Sequence, residues 1–278
     1  MSKIWFVTGA GRGIGAEIAR SALDAGHRVV ATGRRLSDLE STFREFGDRV
    51  LCLTLDVTND HQSLDAVARA VDQFGRIDVV VNNAGYGQLG LFEEVSRSAV
   101  EDQFQTNVFG LMQVTRAVLP QMRRQRGGHI FNISSIGGFI GFESSSIYCA
   151  AKFAVEGFSE SLALEVARFG IHVTVVEPGF FRTDFLDSSS VRYGDRHISD
   201  YDDPKHPPRA DYSSYNHRQP GDPAKLGLAL VRVAEMDNPP LHFVAGSDAV
   251  SYAREAFTRR QSEINEYLAL STSTDFAG

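Results

Sequence analysis

The sequence predicts a single doubly wound α/β domain, with a parallel seven-stranded sheet and helices on both faces. Three observations lead there. Short β-branched runs alternate with amphipathic helical stretches from end to end, and near-continuous apolar strands separated by helices belong to a sheet buried on both faces. The first strand runs straight into a glycine-rich turn and then a helix. Before residue 180 there is no linker, repeat or low-complexity segment, so one domain over 1–278 accounts for the chain.

The elements follow in order. A strand over Ile4–Thr8 enters the turn TGAGRGIG at 8–15, and a helix covers 14–25. Strand Arg28–Thr32 and helix 36–46 come next, then strand Val50–Leu55, helix 60–74 and strand Val79–Asn82. A long helical pattern spans 96–125 and precedes strand His129–Ile133. The run Phe153, Val155, Phe158, Leu162, Leu164, Val166 has helical periodicity over 147–169, behind a serine cluster able to cap it. Strand His172–Val176, helix 223–236, strand His242–Val244 and a C-terminal helix at 249–269 complete the pattern.

The segment 185–222 breaks it, being rich in Asp, Ser, His, Pro and Tyr. So long a connection in a compact domain is a functional lid or a disordered segment. Tyr193, Tyr201, Tyr212 and Tyr215 favour the lid, because aromatics are scarce in solvated tails. His197, His206 and His217 lack tight ligand spacing and cysteine partners, so no metal is expected.

Bulk composition narrows the function. A chain of 278 residues with 42% hydrophobic and 23% charged residues is ordinary for a globular protein. The net charge of −7 gives a nucleic-acid-binding face no global support. Cys52 and Cys149 read as free thiols in a reducing compartment. Neither a signal-peptide pattern nor an apolar run of the roughly 20 residues that span a bilayer is visible. A cytoplasmic protein with a small-molecule substrate and no membrane partner is the expectation.

The glycine turn suggests a phosphate site. Gly9, Gly11, Gly13 and Gly15 let the backbone approach a pyrophosphate at a helix N-terminus, where free N–H groups and the helix dipole favour anions. Gly11, Gly13 and Ala16 satisfy the G-x-G-x-x-A form of the dinucleotide fingerprint. An NAD site would place an acid about 20 residues on, at the ribose 2′-hydroxyl. Here Gly33 occupies that place, followed by Arg34 and Arg35, and Arg12 sits inside the loop. Guanidinium groups bind a 2′-phosphate that a carboxylate would repel. NADP(H) is therefore favoured over NAD(H), the alternative being a pair of exposed arginines at a helix start.

Tyr148 and Lys152 specify the chemistry. On a helix, residues four apart share one face, which sets the ammonium beside the phenol. A phenol has an unperturbed pKa of about 10, and lowering it by roughly three units takes about 4 kcal/mol of differential stabilisation. A phenol so tuned gives a proton to a carbonyl or takes one from an alcohol near neutrality. Tyr201 and Lys205 share the spacing, but Pro204 between them argues for loop.

Together these residues resemble the short-chain dehydrogenase/reductase family, whose domain is of the Rossmann type. The resemblance covers roughly residues 3–184, with an echo in LHFVAGSDA at 241–249. It rests on TGAGRGIG including Ile14, Asp56 in LDVT, NNAG at 82–85, Asn107 in QTNVFG, NISS at 132–135, Tyr148-x-x-x-Lys152 and PGFFRT at 178–183. It implies a catalytic set of Asn107, Ser135, Tyr148 and Lys152. Ser135 would bond the substrate oxygen, Tyr148 would be the acid or base, Lys152 would hold the nicotinamide ribose, and Asn107 would anchor a water in a proton relay. Asp56 with the backbone of Val57 would meet the adenine. Asn83, Ala84 and Gly85 would line the ribose side, and Pro178, Gly179 and Thr183 the nicotinamide, with Thr183 on its amide. The segment FIGFESSSIY, with Glu143, departs from the commonest family pattern, and so does the chain beyond 185.

The expected reaction is hydride transfer between NADP(H) and a carbonyl or secondary alcohol. An NAD-preferring alcohol dehydrogenase and a non-catalytic dinucleotide sensor are the alternatives, and a sensor needs none of the proton-transfer groups. By chain position, Tyr86, Leu89, Phe139, Phe142, Phe180, Phe181 and Phe185 would border a mainly apolar substrate, two or three of them being ordinary core. Apolar residues on more than one face of 101–125 and 147–169 (Val108, Phe109, Leu111, Met112, Val114; Phe153, Val155, Phe158) point to a homo-oligomer. Family members commonly pair through these helices, and the C-terminal helix favours a homodimer over a homotetramer.

Overall fold

The computed structural model describes residues 2–187, 190–202 and 216–276. Four-residue β1 (Ile4–Val7) leads through the glycine turn into α1 (Gly13–Asp24). Then come β2 (Arg28–Gly33), α2 (Leu36–Phe43), β3 (Val50–Thr54), α3 (Asp60–Phe74) and β4 (Val79–Asn82). The Asn59 side chain caps α3, accepting from the Gln62 amide at 3.1 Å. A two-residue β5 (Gly87–Gln88) precedes α4 (Arg97–Phe104) and α5 (Leu111–Gln125). The second half holds β6 (Gly128–Ile133), α6 (Ser146–Val166), β7 (Ile171–Pro178), β8 (Val191–Arg192), α7 (Pro223–Ala234), β9 (His242–Ala245), α8 (Ser247–Glu266) and α9 (Leu268–Thr272).

Seven parallel strands form one sheet in the order β3-β2-β1-β4-β6-β7-β9. Trp5 of β1 pairs with Val29 on one side and Val79 on the other. The chain therefore winds outward in both directions from β1 and β4. The crevice beyond their carboxyl ends is the switch point where such sheets bind ligands. One face packs Ile18, Leu39 and Leu230 from α1, α2 and α7; the other packs Ala66, Val114 and Leu162 from α3, α5 and α6.

Several elements differ from expectation. The 96–125 pattern is two α-helices joined by a π-helical turn, Gln105–Gly110. Helix α2 stops at Phe43, and a 3₁₀ segment with Gly47 at φ 56° follows. Helix α8 ends at Glu266 instead of 269, and a short α9 follows. Ser145 precedes α6 without a side-chain cap bond. Strands β5 and β8 form a second, two-stranded parallel sheet, Gly87 opposite Val191 and Gln88 opposite Arg192.

The apolar surplus on the long helices is also smaller than expected. Val108, Leu111, Val114 and Val155 are consumed by the chain's own core, whereas Phe109 is 48% and Phe153 37% exposed. Among the described residues, no helix is long and apolar enough to cross a membrane.

Candidate active site

The glycine turn is built by close approach. Gly9 and Gly13 take φ of 64° and 58°, a region an L side chain rarely adopts. Gly15 has no room for a side chain: a Cβ there would overlap Asn83 Nδ2 and lie 2.5 Å from the Gly9 carbonyl oxygen. The Asn83 amide donates to the carbonyls of Thr8 at 2.9 Å and Gly9 at 3.2 Å, fastening the NNAG turn to the glycine turn. The Thr8 hydroxyl accepts from the backbone N–H of both Asn83 and Ala84 at 3.0 Å. Across the turn, Thr183 faces Gly13, and its hydroxyl accepts from the Phe185 N–H at 3.2 Å.

The arginines divide. Arg35 is paired with Asp38 at 2.6 Å, and Arg12 donates to the Ser190 hydroxyl at 2.8 Å. Arg34, exposed at the end of β2, makes no ion pair or hydrogen bond with the described residues. Asp56 accepts from the N–H and hydroxyl of Thr58 at 3.0 and 2.8 Å, and its own N–H donates to Gln62. Val57 is buried against Gly110 of the π turn.

Tyr148, Lys152, Ser135 and Asn107 stand around the carboxyl ends of β4 and β6. Lys152 Nζ lies 5.7 Å from the Tyr148 ring centre and donates to the Ile133 carbonyl at 2.7 Å. The ammonium is buried, which lowers its pKa to about 8 despite the opposing charge of Glu156. The Ser135 hydroxyl accepts from the Gly137 N–H at 3.1 Å, and a Cβ on Gly137 would sit 3.3 Å from the Tyr148 ring. Gly137 thus lets the Ser135 loop close onto Tyr148. Asn107 lies within the π turn and clamps the backbone of Tyr86, accepting from its N–H at 3.1 Å and donating to its carbonyl at 2.9 Å. Single π turns inside α-helices are frequent at functional sites.

The aromatic residues scatter more than their chain positions suggest. Phe185 reaches the site, its ring 6.0 Å from that of Tyr148. Arg192 covers the Tyr86 ring at 4.6 Å, and the Tyr86 hydroxyl is buried without a partner among the described residues. Leu89 is buried. Phe139 packs on Phe257 and Phe142 on Tyr252, both of α8, and Phe180 joins that cluster. Phe181 belongs to the core beneath α1 and α7. The turn at Pro178 and Gly179 closes β7, where Asp248 of α8 leaves Gly179 no space for a Cβ.

The 185–222 segment is pinned where it is described. Its β8 pairs with β5, and the buried Glu94 collects its next turn. The Glu94 carbonyl accepts from Asp195 and Arg196 at 3.1 Å, and its carboxylate from the Ile198 N–H at 3.1 Å. Tyr201 donates to Glu93. His197 lies beside Glu94 and Asp202, and His217 beside Asp187; His206, Pro204, Lys205, Tyr212 and Tyr215 lie outside the described residues.

Glu94, Thr8 and Glu156 were absent from the sequence-based set. A buried anchor such as Glu94 leaves no local signal. Glu156 had one: it stands four residues beyond Lys152, on the face that carries Tyr148 and Lys152.

Residues 3–193 match the family model described as short chain dehydrogenase. Oxidoreductase BOA17 of Botryotinia fuckeliana is 41% identical over 261 residues, covering 92% of this chain and 93% of that protein. A 3-ketodihydrosphingosine reductase of Bacteroides thetaiotaomicron is 38% identical over 88% of both chains. Among solved structures, a short-chain dehydrogenase from Streptomyces avermitilis superposes with a TM-score of 0.90 at 38% identity, over 99% of each chain. A closed serine dehydrogenase complexed with NADP+ superposes at 0.75 with 30% identity, over 86% of this chain and 93% of that one.

Proposed function

The chain belongs to the short-chain dehydrogenase family and is an oxidoreductase, and on that premise we propose that it interconverts a carbonyl and a secondary alcohol on a mainly apolar small molecule, with NADP(H). The observation that carries the reading is Tyr148 on one helix face with Lys152, beside the Ser135 loop.

The residues present fit a dinucleotide. The Gly9–Gly15 turn leaves open backbone at the N-terminus of α1, where an anion is favoured. Arg34 is a cation unpaired among the described residues, where Gly33 replaces the acid of an NAD site. The NADP+ complex of the similar serine dehydrogenase supports the same cofactor. Asp56, Val57, Asn83 and Gly85 would hold the adenosine half, and Pro178, Gly179, Thr183 and Lys152 the nicotinamide half. When bound, the nicotinamide supplies or takes up the hydride.

This chain's residues handle the oxygen. The Ser135 hydroxyl orients the substrate oxygen. Tyr148 gives it a proton in reduction and removes one in oxidation. Lys152 favours the phenolate, by the attraction of a fixed cation. Phe185 and Tyr86 supply apolar wall, and the described part of the 185–222 segment, anchored by Glu94 and β5, acts as lid over it. The name of the 3-ketodihydrosphingosine reductase supports an apolar ketone. The exposed Phe109, Phe153 and Leu164, the last 84% exposed, support pairing of two copies through α4, α5 and α6.

A panel of ketones, aldehydes and secondary alcohols of increasing alkyl or aryl size, assayed with NADPH and NADH, tests this reading. Rising kcat/KM with apolar size and preference for NADPH are expected. Activity confined to polyols or sugar phosphates would contradict it.

A further inference from the structure

Each reduction consumes one proton at Tyr148, and its neighbour Lys152 is buried. A string of ionisable side chains leads away from that lysine. Glu156 follows one turn along α6 and is buried. Against it lies Glu177, buried in β7, and beside both lies His242 at the start of the edge strand β9. His242 Nδ1 stands 2.8 Å from Glu177 Oε1 and 3.7 Å from Glu156 Oε2. Its Nε2 faces the exposed Glu160 at 3.6 Å, and the side chain is 41% exposed. The imidazole therefore bridges solvent and two buried carboxyl groups, one ring nitrogen toward each.

Glu156 faces the Ser134 hydroxyl and Glu177. Its Oε1 and the Ser134 hydroxyl are both buried without a partner of standard geometry among the described residues. Both crowd Gly138, where a Cβ would lie 2.5 Å from Glu156 Oε1. Burying two carboxyl groups side by side costs more than an apolar pair of the same volume, so packing alone gives no reason for them.

We propose that His242, Glu177 and Glu156 form a proton path from solvent at the β9 edge of the sheet to Lys152, restoring the Tyr148 proton in reduction and draining it in oxidation; this rests on the reading of Tyr148 given above. In reduction, His242 takes a proton from solvent at Nε2 and releases one from Nδ1 to the Glu177–Glu156 pair. Glu156, one turn from Lys152 along α6 and beyond ion-pair distance of it, passes a proton to Lys152 through one bridging water as Lys152 passes one to the tyrosine phenolate. One proton enters, one reaches Tyr148, no electron moves, and every group in the path regains its starting charge. Oxidation runs the same transfers in reverse.

The proton affinities suit the transfer. Burial lowers the Lys152 pKa to about 8 and raises that of Glu156 to about 8; the Ser134 hydroxyl opposes the latter shift and Glu177 adds to it. Burial thus moves the proton affinities of the two groups toward one another. Glu177 is raised by burial, with His242 opposing.

Two variants test the path, neither of which touches substrate. In His242→Ala, kcat for reduction above about pH 8 should fall at least about tenfold, less than the ~10²–10⁴-fold of losing the acid itself. Cofactor KM should be unchanged, the solvent isotope effect on kcat should rise, and added imidazole should restore the rate at the exposed edge. Glu156→Gln should show the same kinetics without rescue. It should also delete a protonated-carboxyl band from the infrared spectrum of the unmutated protein at neutral pH, a readout that needs no turnover. Wild-type kcat, pH profile and isotope effect in both variants would overturn the path, as would a slow His242→Ala that imidazole does not rescue. If Glu156→Gln does not fold, the edge variant decides alone. Absence of turnover in the unmutated protein would count against the Tyr148 reading, and the infrared band would then decide the path.

Discussion

Lys152 donates to the carbonyl of Ile133 at 2.7 Å, which ties the middle of α6 to the last residue of β6. One bond thus fixes both the height of the ammonium beneath Tyr148 and the start of the Ser135 loop. Lys152→Met keeps the volume but leaves that carbonyl unpaired, at a cost of about 1–3 kcal/mol. The variant should lose both turnover and cofactor affinity, because in the proposed mechanism one ammonium serves both. Cofactor titration by fluorescence alongside steady-state rates checks this; a loss confined to kcat would separate the roles.

Arg34→Asp should move preference from NADP(H) toward NAD(H). Among the described residues Arg34 is unpaired while Arg35 is held by Asp38, so the substitution removes a cation open to a phosphate and adds an acid able to take a 2′-hydroxyl. Losing a charge-assisted bond costs about 1.5–3 kcal/mol, roughly tenfold to a hundredfold in discrimination. The ratio of kcat/KM for the two cofactors is the measurement. An unchanged ratio would shift the role to Arg35 and Arg12.

Gly15→Ala should destabilise the protein and weaken dinucleotide binding together. The added methyl meets Asn83 and the Gly9 carbonyl, and overpacking of this kind costs about 1–3 kcal/mol. Tm should drop by about 2–4 °C per kcal/mol. A full-strength cofactor Kd in a folded Gly15→Ala would show that the turn is not the phosphate cradle.

His129 makes the fold acid-sensitive. Burial holds the imidazole neutral and lowers its pKa from 6.5 to about 3, with His172 adding to the effect. Between those values the unfolded chain binds the proton and the folded chain does not, so stability falls as pH drops through the window. At about pH 5 the loss is about 2 kcal/mol. The ring is also 2.8 Å from the Thr174 hydroxyl and stacked on Phe131. His129→Gln should therefore be weaker at pH 7 yet lose less between pH 7 and 5, as urea midpoints would show.

The readable parts of this chain were those whose signal is local. A strand from Ile4 entering a glycine turn and a helix at Gly13 is written in consecutive residues, as is the Tyr148–Lys152 pair. The π turn around Asn107 was hidden, because one extra residue barely disturbs a helical period. Two-residue β5 and β8 are too short to carry an alternation. Phe139, Phe142 and Phe180 lie near Ser135 or the β7 turn in the chain, yet they pack with α8, a helix about a hundred residues away in sequence. The buried Glu94, Glu156 and Glu177 are set by tertiary contacts, and a single sequence shows a glutamate on a helix or strand as a surface residue by default.

If Tyr148 gives and takes the proton of hydride transfer, Tyr148→Phe removes that step. The change removes the hydroxyl while keeping the ring against Phe185 and over Lys152. Measured with a ketone and NADPH, kcat should fall by at least ~10²–10⁴-fold while cofactor affinity is kept. Near-native turnover by Tyr148→Phe would mean that another group moves the proton.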